Sequence, residues 1–127
     1  MQNYFMIAIG AAFGGMLRYW STNVVQKYLP FIFPSGTLFV NFFGSFILGF
    51  IIFYFDPKNL ISPQMKTLLT IGFCGGLTTF SAFSYETVAL LRDSEILFGL
   101  LNIFLNVFLS IFAILLSYIV AKIISGG

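Results

Sequence analysis

From Gly36 to Phe55 the chain carries no charged side chain, and from Ile96 to Ala121 it again carries none. Runs of this length match the roughly 20 residues that a helix needs to cross the hydrocarbon of a bilayer. Two further apolar stretches, about 4–25 and about 64–91, are almost as free of charge. Of 127 residues, 8% are charged and 59% hydrophobic, whereas soluble domains average roughly 25% charged. A soluble fold of this size has too little interior to hide so much apolar surface, so lipid is the solvent that suits it. The chain therefore reads as an all-α integral membrane protein. It forms a single domain over residues 1–127, with four transmembrane helices at about 4–25, 36–55, 64–91 and 96–124.

Turn-forming and charged residues separate these stretches. Tyr28 to Pro34 breaks the first, and Pro34 with Ser35 as a cap opens the second. Asp56-Pro57-Lys58-Asn59 and Ser62-Pro63 form the most polar connection, and Arg92-Asp93-Ser94-Glu95 forms the last. The apolar N-terminus lacks a basic leader and runs on into further apolar sequence, which makes it a first span rather than a cleaved signal. A net charge of +2 with dispersed basic residues gives no surface for nucleic acid. Cys74 is the only cysteine and there is no histidine. A thiolate metal cage, an intrachain disulfide and the usual near-neutral general base are thereby excluded. The chain is not expected to be an enzyme.

Six basic residues leave the orientation open. With the N-terminus on one side, Lys58, Lys66 and Lys122 share that side, while Arg18, Lys27 and Arg92 fall toward the other. The positive-inside rule needs an excess, and here there is none. Chance gives such a balance, and so does a chain that inserts both ways and pairs antiparallel about a two-fold axis in the membrane plane.

Within the third stretch, residues 72–86 read GFCGGLTTFSAFSYE. Glycines loosen the backbone, and carbonyls freed at membrane depth need partners in protein, water or an ion. The segment reads as a helix interrupted near Gly75–Thr79, at the centre of an ion pathway. Polar residues recur at helical spacing elsewhere: Thr37, Asn41 and Ser45 in the second stretch, Asn102, Asn106 and Ser110 in the fourth. These faces serve either as interhelical hydrogen-bonding seams or as walls of a polar pore, to which Thr79, Ser81 and Ser84 add hydroxyls. No carboxylate lies near the middle of a span, and Arg18 is the strongly cationic group inside one. Cation pathways place acids at depth, so buried donors without acids suit a small anion. Glu86 dissents: it is protonated, faces a vestibule or holds a neighbouring helix. Phe80 and Phe83 are two of 18 phenylalanines, and such a pair serves packing in most helices. Its place among hydroxyls after a glycine break allows another use, because an aromatic ring has a positive edge that can partner an anion.

Taken in order, several short motifs resemble the Fluc (CrcB) family of small microbial fluoride channels over nearly the whole chain. They are Gly14-Gly15 with Arg18-Tyr19, then Gly36-Thr37-Leu38 leading to Asn41, Gly44 and Gly49. Gly72-Phe73-Cys74-Gly75-Gly76 follows, leading to Thr78-Thr79-Phe80-Ser81 and Phe83. The resemblance implies an antiparallel, dual-topology homodimer in the cell (inner) membrane, surrounded by lipid, with two pores that let fluoride leave the cell and so relieve its toxicity. Phe80 and Phe83 match the aromatic pair of each pore, supplied partly by opposite subunits, and Asn41 matches the pore asparagine. Thr37, Ser81 and Glu86 match polar pore or vestibule positions, and Arg18 matches an arginine of the vestibule or of helix anchoring. Ser110 fits the hydroxyl expected on the fourth helix. Carbonyls matching Gly75 and Thr78 would hold one structural sodium ion at the dimer centre, where a buried positive charge offsets part of the cost of nearby anions. Two other classes compete. A proton-coupled exporter of the small multidrug-resistance type also has four spans, but it needs a glutamate in the first helix, and residues 4–25 contain no acid. In a purely structural membrane subunit the glycines and polar faces would serve helix packing.

Overall fold

The computed structural model describes residues 1–29 and 32–126. Among these residues the structure is all-helical. Helix α1 is Gln2–Tyr28, and α2 is Ser35–Phe50, continued by a wider π turn over Ile51–Phe55. Helix α3 occupies 63–77: an α segment Pro63–Thr67, a π segment Leu68–Cys74 and a last turn Gly75–Leu77. After a break come α4, Ser81–Arg92, and α5, Ile96–Ile124. Among the described residues three helical segments are long and apolar enough to cross a membrane: Ser35–Phe55, Pro63–Arg92 and Ile96–Ile124.

The local chemistry explains the ends. Ser62 accepts a hydrogen bond from Met65 N–H (3.1 Å), with Pro63 next in line, which is an N-cap followed by the residue that best tolerates the first helical position. Ser35 does not cap α2 as expected. It is already helical, Pro34 takes the cap position, and the Ser35 hydroxyl donates back to Phe33 O. Gln26 ties the end of α1 to the start of α2, donating to Phe33 O and accepting from Gly36 N–H. Pro30 and Phe31, within the expected break at 28–34, lie outside the described residues. Lys66 pairs with Asp56 at 2.8 Å across the 56–62 connection.

The interior mixes polar with apolar side chains, and the exterior is rich in large apolar ones. Asn102 and Ser117 are fully buried, and Asn106, Thr37 and Thr87 nearly so, whereas Phe104, Phe108, Ile111 and Leu115 on α5 are exposed. In water that arrangement would be costly. In lipid it is the ordinary one, because buried amides need partners and hydrocarbon does not.

Helices α1 and α3 meet through small residues. A Cβ on Gly72 would lie 3.0 Å from Gly10 Cα, and one on Gly76 2.8 Å from Ala11 O. Gly10-x-x-x-Gly14 thus faces Gly72-x-x-x-Gly76, the close backbone approach on which membrane helices rely for packing. This revises the expectation that Gly72, Gly75 and Gly76 together loosen the backbone. Gly75 is helical, and of the three it alone is exposed, while the other two are needed for contact. The interruption itself falls at Thr78–Phe80, where Thr78 turns extended (φ −87°, ψ 159°).

Candidate functional site: a polar break lined by two phenylalanines

An extended residue inside a membrane helix strands peptide groups that must be paired. Asn41 of α2 pairs them here. Thr79 N–H donates to Asn41 Oδ1 (2.8 Å), and Asn41 Nδ2 donates back to Thr79 O (3.1 Å). Thr79 Oγ1 then accepts from Ala82 N–H (3.1 Å), restarting the helix as a cap would. On the other side of the break Arg18 Nε donates to Gly76 O at 2.9 Å.

Asn41 also begins a ladder. Its Nδ2 donates to Asn106 Oδ1 (2.9 Å), and Asn106 Nδ2 donates to Asn102 Oδ1 (2.8 Å) and Asn102 O (2.9 Å). Asn102 Nδ2 donates to Thr87 Oγ1 (2.9 Å), whose hydroxyl donates to Phe83 O (2.8 Å). The chain of donors starts at Thr79 and ends at Phe83, so α2 and α5 grip both ends of the segment that carries the aromatic pair. Of the two uses open to the polar faces, interhelical bonding is the one Asn102 and Asn106 serve. Asn41 and Asn106 also line a cavity, and Ser45 and Ser110 line it without bonding another helix.

That cavity, of about 320 Å³, is lined by Asn41, Ser45, Thr78, Phe80, Phe83 and Ser110 among others, and no charged side chain lines it. The rings of Phe80 and Phe83 meet edge to face, with centroids 5.2 Å apart and planes at 62°. Phe83 is 8% exposed, but Phe80 is 76% exposed. A second cavity of about 350 Å³ on the far side of Thr79 gathers Arg18, Tyr19, Thr37 and Glu86. Thr37 Oγ1 donates to Glu86 Oε2 at 2.9 Å, while Glu86 Oε1 is buried without a hydrogen-bond partner among the described residues. Uncharged donors and aromatic rings thus lie on one side of the break, and one cation with one acid on the other.

The structure thus divides the predicted residues. Asn41, Phe80, Phe83 and Ser110 share the aromatic cavity with Thr78; Arg18, Thr37 and Glu86 share the other. Ser81 lies outside both; it is exposed, with its Oγ 3.3 Å from Thr79 Oγ1. The carbonyls of Gly75 and Thr78 accept no hydrogen bond from the described residues, and a Cβ on Gly75 would meet only Thr70 O, at 3.9 Å. Free carbonyls on an open face are hard oxygen ligands and fit the sodium expectation chemically, although no His, Cys, Asp or Glu cluster among the described residues could add to them. Sequence reasoning did not find the roles of Thr87 and the Thr79 peptide. A signal for the first existed in the i, i+4 pair Phe83–Thr87, since a helical threonine donates one turn back. No sequence signal marks the Arg18–Gly76 bond, which joins residues far apart in the chain.

Residues 5–118 match the family described as CrcB-like protein, Camphor Resistance (CrcB). The fluoride-specific ion channel FluC of Flavobacterium psychrophilum is 42% identical over 122 residues, covering 96% of this chain and 98% of the relative. That of Aquifex aeolicus is 46% identical over 93 residues, 73% of this chain and 75% of the relative. That of Geotalea uraniireducens is 41% identical over 124 residues, 98% of this chain and 100% of the relative.

Proposed function

This chain belongs to the CrcB family, and from that premise we propose that it is a passive fluoride-selective channel, releasing fluoride down its electrochemical gradient to relieve fluoride toxicity. One observation carries the reading at the level of chemistry: an uncharged cavity at a helix break that joins the paired rings of Phe80 and Phe83 to hydroxyl donors. Fluoride is small and holds water tightly, so a path for it must offer hydrogen-bond donors where water is stripped away. Ring edges and hydroxyls do this without a fixed positive charge that would trap the ion. Gating and coupling are not needed for such a path, and α1 (Gln2–Tyr28) has no acid to carry a proton. The proton-coupled exporter therefore has no support here, and neither does an enzyme.

The working unit in this reading is an antiparallel homodimer of four-span protomers in the inner membrane. It is supported by the balanced basic residues and by Phe80, a large ring left 76% exposed beside a cavity that holds polar side chains. A second copy would cover that ring and complete each pore. Two copies would also bring together four carbonyls from Gly75 and Thr78, which would hold a sodium ion as a structural bridge. When bound, the ion supplies a fixed positive charge and a link between the two breaks. The remaining demands fall on the chain itself: Asn41 and Arg18 hold the break open, and Thr37 orients Glu86.

The test is purified protein in liposomes loaded with potassium fluoride, with efflux started by a potassium ionophore. Fluoride should leave with no proton gradient and no ATP, at a rate set by the membrane potential. Efflux that requires a proton gradient would replace this reading with the coupled exporter.

A further inference from the structure

Two hydroxyls in the aromatic cavity behave unlike the others on these helices. A serine or threonine in a helix ordinarily turns back onto the carbonyl one turn earlier. Thr22, Thr70, Ser84 and Thr87 do so at 2.7–2.9 Å. Ser45 and Ser110 make no hydrogen bond with any described residue, and neither hydroxyl is sealed in the interior. Both line the cavity with Phe80 and Phe83. Ser21 also lacks a partner but lines neither cavity.

The amides beside them are already spent. Both N–H groups of Asn41 are engaged, one by Thr79 O and one by Asn106 Oδ1, and Asn106 Nδ2 is turned toward Asn102. Thr78 and Thr79 likewise have their hydroxyls paired, with Cys74 O and Ser81 Oγ. The donors in this cavity with no internal partner are the two serines. A hydroxyl left unpaired at membrane depth is costly, and alanine at position 45 would favour the helix more. An unpaired donor there needs an acceptor that the described residues of its own chain do not supply.

We propose that Ser45, one turn beyond Asn41 on α2, is an ion-contacting residue that acts with Ser110 of α5 as a hydroxyl pair donating to fluoride beside the rings. Asn41 in this scheme is the clamp of the break and sets the pair's position. The proposal rests on the fluoride-channel reading and adds a contact residue to it.

The test compares wild type, Ser45→Ala, Ser45→Thr and Ser110→Ala in liposomes, reading fluoride efflux with an electrode and the assembly by size exclusion in detergent. Ser45→Ala should lower fluoride efflux by about tenfold, the effect of losing one hydrogen bond to a charged group, with an unchanged elution profile. Ser45→Thr should recover most of that loss because it restores the hydroxyl. Ser110→Ala should resemble Ser45→Ala. Wild-type vesicles that retain fluoride would remove the channel reading and this proposal together. Wild-type efflux matched by Ser45→Ala would overturn the proposal alone. So would equal losses in Ser45→Ala and Ser45→Thr, which would make the position one of packing and not of donation.

Discussion

At Asn41 a side-chain amide stands in for the helical partners that Thr79 loses at the break. Replacing Asn41 with Asp would set a carboxylate against Thr79 O and Asn106 Oδ1, both acceptors, where two N–H donors now point. The expected result is a loss of about 2–3 kcal/mol in stability, the penalty for unmade buried hydrogen bonds, and fluoride efflux reduced at least as far. Thermal unfolding in detergent and vesicle efflux measure the two; efflux above wild type would reverse the role given to this residue. Phe80→Ile and Phe83→Ile keep the apolar bulk but remove the ring edge, so flux should fall by about tenfold or more while the elution volume stays the same. Undiminished flux in both variants would leave the rings as packing. Which residues matter at this scale was partly legible. The spacing of Thr37, Asn41 and Ser45 and of Asn102, Asn106 and Ser110 placed polar groups on shared faces. It could not say that the asparagines on α5 satisfy one another, because hydrogen-bond partners depend on helix rotation and depth, which periodicity leaves free.

Among the elements, the interrupted third helix carries the candidate site, and α1 packs against the turns before the interruption. The Gly10 and Gly14 face of α1 lies against Gly72 and Gly76, and Arg18 from the same helix holds Gly76 O. Gly76→Val would force α1 and α3 apart at a contact where a Cβ already meets Ala11 O at 2.8 Å. A destabilisation of about 1–3 kcal/mol is expected, as for other overpacked interfaces, seen as a lower unfolding temperature and a lower yield of folded protein. Gly15→Ala on the facing helix α1 is the control, since a Cβ there meets nothing within 4 Å; equal damage from both would contradict the packing account. Existence of the break was legible from GFCGGLTTFS, but its cause was not. The glycines drew attention as loosening residues, whereas the extended residue is Thr78, and two of the three glycines close a helix contact. The π turns at Ile51–Phe55 and Leu68–Cys74 left no mark in composition, because a widened turn reflects packing on neighbours and not a residue type.

For the whole molecule, the apolar exterior was legible from composition, since lipid is the solvent that suits so much exposed apolar surface. Assembly is where one chain says least, and it is open to direct labelling. Lys58→Cys in a Cys74→Ser background should be modified by an impermeant maleimide from both sides of sealed membranes, half from each. Labelling from one side alone would exclude an antiparallel pair. The central claim is that cavity-lining hydroxyls and ring edges replace the water that a small halide gives up, and selectivity tests it most directly. Wild-type protein in liposomes loaded with equal fluoride and chloride should release fluoride to completion while chloride stays at the level of protein-free vesicles. Release of both ions at similar rates, or of neither, would contradict the account.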